Sequence, residues 1–132
     1  MVRVLFGILI VLHGLVHLLY WGQSARTFEL QPGMAWPDGS WAFSRLLGDE
    51  KTRQLASLLL ILAAAGFVAG GAGLFARQAW WRTVLAGVAA GSTAVYLLAW
   101  DGRFQSLPDK GAIGIAINAA ILTAVLAFRW PR

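Results

Sequence analysis

An all-α fold, a bundle of four transmembrane helices with a short amphipathic helix in its first outer loop, is what this sequence predicts, on three observations. Hydrophobic residues make up 58% of the 132 positions and charged residues 13%, against about 25% charged in a soluble globular domain. So short a chain cannot bury that much apolar surface in one soluble core. Four stretches, 4–21, 54–76, 83–100 and 111–128, contain no Asp, Glu, Lys or Arg, and each reaches most of the way across about 30 Å of hydrocarbon at about 1.5 Å per residue. The tryptophans fall at the ends of these stretches or in the long loop, where an amphipathic ring meets lipid headgroups. The expected organisation is one domain, 1–132, with helices at about 3–21, 50–76, 79–100 and 111–129 and an outer loop at 22–49.

The first segment resembles a signal peptide in having Arg3 ahead of an apolar run, but Gln23-Ser24-Ala25 is a poor cleavage site, and the segment is expected to stay. The loop after it is irregular through "FELQPGMAWPDG". "DGSWAFSRLLGDE" then offers Asp38 or Ser40 as an N-cap, apolar Trp41, Phe43, Leu46 and Leu47, and Gly48 as a stop, which predicts a short interfacial helix. Asp49 is expected to cap the second segment. That segment contains Gly66-x-x-x-Gly70 and the third contains Gly87-x-x-x-Gly91, at similar depths from their shared turn. Small residues four apart let backbones approach, so the two glycine patches are expected to face each other.

Charge sets the orientation. Arg3, Arg77, Arg82, Arg129 and Arg132 crowd into very short segments on one face, whereas all six acids and the other six basic residues lie on the opposite face. The compact arginine set favours cytoplasmic termini in a multi-pass protein of a bacterial inner membrane. The net charge of +5 then describes a collar facing anionic lipid, so the bilayer, not nucleic acid, is the expected partner. Cysteine is absent, which removes disulfides, thiolate metal sites and covalent haem attachment.

The stretch "HGLVHLLYW" holds both histidines of the chain. Four residues apart, His13 and His17 share one helical face. Counted from the outer ends, His17, Ser57 and Tyr96 form one layer about 6 Å down, and His13, Ser92, Thr93 and Asn118 a second about 11 Å down. The expected contacts are His17 with Tyr96 or Ser57, and His13 with Ser92, Thr93 or Asn118, because an unpaired imidazole in hydrocarbon costs more than a membrane hydrogen bond returns. This places the polar cluster in the outer leaflet.

A hydrogen-bonded network that fixes helix register accounts for these residues without any ligand. Two imidazoles could also serve a divalent metal, but zinc or copper wants three or four ligands. Haem could take one of them axially. No nucleophile has a base and an orienting acid. The functional expectation is a non-enzymatic accessory subunit or small-ligand binder, with a membrane-protein partner or a second copy as its company. The alternative is a metal- or cofactor-binding redox protein using His13 and His17.

"ILIVLHGLVHLLYW", "LLGDEKTRQLASLLLILAAAGFVAGGAGLF", the Trp80-Trp81-Arg82 entry to the third segment, Trp100-Asp101 at its exit and Asn118 together resemble a group of small bacterial four-helix integral membrane proteins. In architecture the chain is similar to the DoxX-like four-helix proteins, none of whose functional motifs it carries. The resemblance implies a fold and no activity.

Overall fold

A computed structural model describes all 132 residues, and every regular element in it is helical. The chain forms α1 (Val2–Ser24), α2 (Phe43–Leu47), α3 (Asp49–Phe75), α4 (Trp81–Leu98), a 3-10 turn (Leu107–Lys110) and α5 (Ala112–Leu122), which runs on into a π-helical turn (Thr123–Ala127). Two of these, α1 and α3, are long and apolar enough to cross a membrane. α5 and its π turn make a shorter apolar helix, Ala112–Ala127.

The helices α1, α3, α4 and α5 run up, down, up and down and close around shared buried side chains. α1 packs along α3, α3 against α4 and α4 against α5, while α1 and α5 face each other across a wider gap that side chains bridge. The closest seam is α1 with α3, and its small residues differ from those that the sequence singles out. A Cβ on Gly14 would stand 2.6 Å from the Phe67 Cβ and 3.3 Å from the Ala64 carbonyl oxygen; only glycine lets these backbones meet. Between α3 and α4 the expected glycine-to-glycine contact does not form. Gly66 lies under Val88 and Gly70 under Leu85, whereas Gly87 and Gly91 face open space. The helices mesh knob into hole, with branched side chains of α4 seated over the α3 glycines.

Three helical segments end on an arginine in the left-handed region: Arg26 (φ 59°), Arg77 (φ 57°) and Arg129 (φ 48°). A side chain there costs about 1 kcal/mol, and a cation at the negative end of the helix dipole offsets part of it. α1 does not stop at Trp21 but continues a turn to Ser24. Gln23 explains the extension: fully buried, it donates to the carbonyls of Met34 (2.8 Å) and Trp36 (3.3 Å) and accepts from the Leu30 N–H (2.9 Å).

The loop folds back as a cap on this end, called here the outer end. Asp38 is held by Arg26 at 3.0 Å and by Arg53 at 2.9 Å. Ser40 starts α2 by accepting the Phe43 N–H (2.9 Å) and donates to the Leu98 carbonyl (2.6 Å). Gly48, at φ 80°, ends it. Asp49 does not cap α3; its carboxylate accepts the Gly39 N–H (2.9 Å) and ties the cap to α3 instead. The tryptophans divide: Trp36 (6% exposed) and Trp81 (2% exposed) are core residues, not interfacial anchors.

Two apolar cores result. Phe6, Ile10, Phe67, Leu74, Trp81, Leu85 and Val125 belong to the one at the arginine end; Trp36, Ala56, Leu60, Tyr96 and Ala99 fill the outer one. Buried polar side chains lie between them.

Candidate functional site

His13 stands midway along α1, and its Nε2 lies 2.8 Å from Asn118 Oδ1 on α5. His17 Nε2 lies 2.7 Å from Ser92 Oγ on α4, and its Nδ1 lies 2.9 Å from the His13 carbonyl oxygen. Asn118 Nδ2 reaches Ser92 Oγ (3.1 Å) and Thr93 Oγ1 (3.2 Å); Thr93 donates to the Ala89 carbonyl (2.8 Å). Donor and acceptor rules give this network one direction. A carbonyl only accepts, so His17 carries its proton on Nδ1 and its Nε2 accepts from Ser92. Asn118 Oδ1 only accepts, so His13 carries its proton on Nε2. Two neutral imidazoles in opposite tautomers satisfy every contact.

The sequence predicts the members of this network better than their pairing. His13 has its expected partner in Asn118, and the same amide gathers Ser92 and Thr93. His17 pairs with Ser92, not with Tyr96 or Ser57, because the extra turn of α1 sets both histidines about 4.5 Å deeper than a helix ending at Trp21 would. His13 therefore lies at mid-height of α1 and His17 about one turn further toward the outer end. Ser57 lies apart, bonded to the Arg53 carbonyl (2.7 Å) and Ser24 Oγ (3.1 Å). Tyr96 joins through its ring, 5.9 Å from that of His17.

Aromatic rings make up the rest of the site. Phe67, fully buried on α3, meets His13 edge to face at 4.8 Å and lies tilted against His17 at 5.1 Å. Tyr20, Trp36 and Tyr96 meet at 5.2 to 5.8 Å beneath the cap. Where α1 and α5 diverge, a crevice of about 370 Å³ opens, lined by Leu9, Leu12, Val16, Ile113 and Ile117 together with His13, His17, Tyr20 and Tyr96. The Tyr20 hydroxyl closes its outer end by donating to the Pro108 carbonyl (2.9 Å). Gly111, at φ 89°, lets α5 begin directly against the Tyr96 ring. This crevice escapes a reading by depth alone, which fixes levels along the helices but not which helices sit side by side.

Two residues that line the crevice keep a polar group unused: the Tyr96 hydroxyl and His13 Nδ1 make no hydrogen bond within the protein. They could take one acceptor and one donor from a ligand. Metal binding has less to work with. Both ring nitrogens of His17 and one of His13 are bonded to the protein, and no three His, Asp or Glu side chains converge. Nor is the network a proton wire, since the Asn118 amide between His13 and Ser92 neither gains nor loses a proton at neutral pH.

Comparison with protein-family models, with curated proteins and with solved structures finds no match for this chain.

Proposed function

We propose that this chain is a four-span protein of the bacterial inner membrane, termini in the cytoplasm, that takes a small apolar molecule from the bilayer into the crevice between α1 and α5. One observation carries the reading: a crevice with apolar walls, between α1, which exposes Leu5 and Leu19, and α5, which exposes Ile113, includes two polar side chains with unspent hydrogen-bonding capacity. Such a site suits a lipid-soluble molecule with one polar end, such as a ketone or a quinone. The fixed polar layer behind it supplies orientation and no reaction, which supports a binder over an enzyme.

A benzophenone photoprobe tests the binding reading, since it is an apolar ketone that cross-links where it sits. In protein held in lipid nanodiscs, adducts should map to Leu12, Val16, Ile113 and Ile117. Gly114→Leu, which adds bulk beside Tyr96, should suppress them. Adducts scattered over all lipid-facing helices, unaltered in that variant, would refute the reading. The topology is tested separately: single cysteines at Gln78 and Ser106 should react with an impermeant reagent from opposite sides of the membrane, and reaction of both from one side would overturn it.

A further inference from the structure

The arginine end carries a second recess, on the other side of α5 from the crevice. It has a volume of about 700 Å³ and is lined by Arg82, Thr83, Ala86 and Gly87 of α4, Val125 and Leu126 of the π turn, and Arg129. Gly87 has no atom within 4 Å of where its Cβ would stand, so its open flank is the floor of a groove. The recess is apolar along its length and cationic at its mouth.

The charge there has no counterion in the protein. All the ion pairs of the molecule lie at the outer end, between Arg26 or Arg53 and Asp38 and between Lys110 and Asp101. Arg82 donates only to the carbonyls of Arg129 (2.9 Å) and Pro131 (3.0 Å), and its buried Nε has no partner. The Arg129 side chain and the Thr83 hydroxyl make no hydrogen bond within the protein. The contacts of Arg82 hold the C-terminal tail beside α4, which keeps both guanidinium groups at one mouth.

We propose that this groove binds one anionic phospholipid of the surrounding leaflet, with the phosphate between Arg82 and Arg129 and an acyl chain along Ala86, Gly87, Val125 and Leu126. Guanidinium forks match phosphate oxygens, and basic recesses between helices at a membrane surface are known to select such headgroups. A single acyl chain fits where an added side chain at Gly87 would lie, so Gly87 is the residue that admits it. The proposal rests on the bilayer reading but not on the α1–α5 crevice; a chain that stays in solution without detergent would refute the bilayer reading before any lipid is added.

Native mass spectrometry of the detergent-purified protein, titrated with phosphatidylglycerol or phosphatidylcholine, provides the test. One phosphatidylglycerol should be retained at least about tenfold more tightly than phosphatidylcholine. Each lost arginine near a membrane surface weakens such binding about fivefold, so Arg129→Gln, whose side chain makes no hydrogen bond within the protein, should show that loss. Gly87→Leu should abolish the adduct with both arginines in place, and Arg77→Gln, an equal charge change on the same face outside the groove, should leave it unaltered. The proposal is overturned if Arg77→Gln weakens binding as much as Arg129→Gln, if Gly87→Leu retains the lipid, if phosphatidylcholine binds equally, or if glycerol phosphate displaces the lipid at equal concentration, which would mark a site for free phosphate alone.

Discussion

Ser92 donates its hydroxyl proton across 2.7 Å to Nε2 of His17, and that bond is the only polar link between α1 and α4. It has one allowed direction, because the other nitrogen of His17 spends its proton on the His13 carbonyl. Ser92→Ala removes the donor and leaves a buried imidazole nitrogen unpaired, so it should cost about 1–2 kcal/mol of resistance to denaturation in detergent. Asn118→Ala leaves the His13 Nε2–H without a partner and also removes the donor to Ser92 and Thr93, so it should cost more. Nitrogen-15 spectra of the wild-type protein should show His13 protonated on Nε2 and His17 on Nδ1; matching tautomers would refute the assigned network.

Glycines that look alike in the sequence should behave differently when replaced. Gly14→Ala forces a methyl group onto the Phe67 Cβ and the α3 backbone, an overpacking that should cost about 1–3 kcal/mol. Gly87→Ala meets open space and improves helix propensity, so it should be neutral or slightly stabilising. Thermal unfolding in one detergent compares the two, and equal losses would contradict the packing described.

Acid should loosen the second outer loop. Burial opposes ionisation of Asp101, but the Arg103 N–H at 3.0 Å and the Lys110 ammonium at 2.9 Å outweigh it and hold the carboxyl below its ordinary range. A carboxylate whose folded pKa is depressed stabilises the fold above its unfolded pKa and loses that contribution as the pH falls through the folded value. Thermal unfolding followed from pH 7 downward should therefore show a decline beginning near the ordinary carboxylate pKa of about 3.9. Asp101→Asn should start lower at neutral pH and decline less. An unaltered slope in that variant would show that the Asp101–Lys110 pair does not couple to folding.

What the sequence makes legible follows from cost. Polar side chains in a charge-free apolar stretch must find partners, so His13, His17, Ser92, Thr93 and Asn118 can be named from the sequence as one group, and the all-helical architecture follows from composition. Their pairing depends on where α1 ends, and that is settled far away: Gln23 continues the helix because Met34 and Trp36 come back over it, a tertiary effect with no local signal. The glycine seam fails for a related reason. Spacing shows which residues share a face, but not which face turns toward which neighbour, so Gly14 goes unnoticed while Gly87 and Gly91 look like contacts. Trp36 and Trp81 mislead similarly, since an indole suits an interface and a core equally well.

The stitching of the cap to α4 also sets an order in time. Ser40 Oγ, Trp41 N and Trp41 Nε1 donate to the carbonyls of Leu98, Trp100 and Leu97, residues that leave the ribosome about 60 positions later. At about 5–20 residues per second, the finished α1 and its trailing loop wait about 3 to 12 s for their acceptors. Through that interval the nascent chain holds Trp36 and Trp41 without their final neighbours, so the first loop to emerge is the last to settle. A chain that ends before Leu97 would have a cap tied to α1 and α3 through Gln23, Arg26, Arg53 and Asp49 but still without its third anchor.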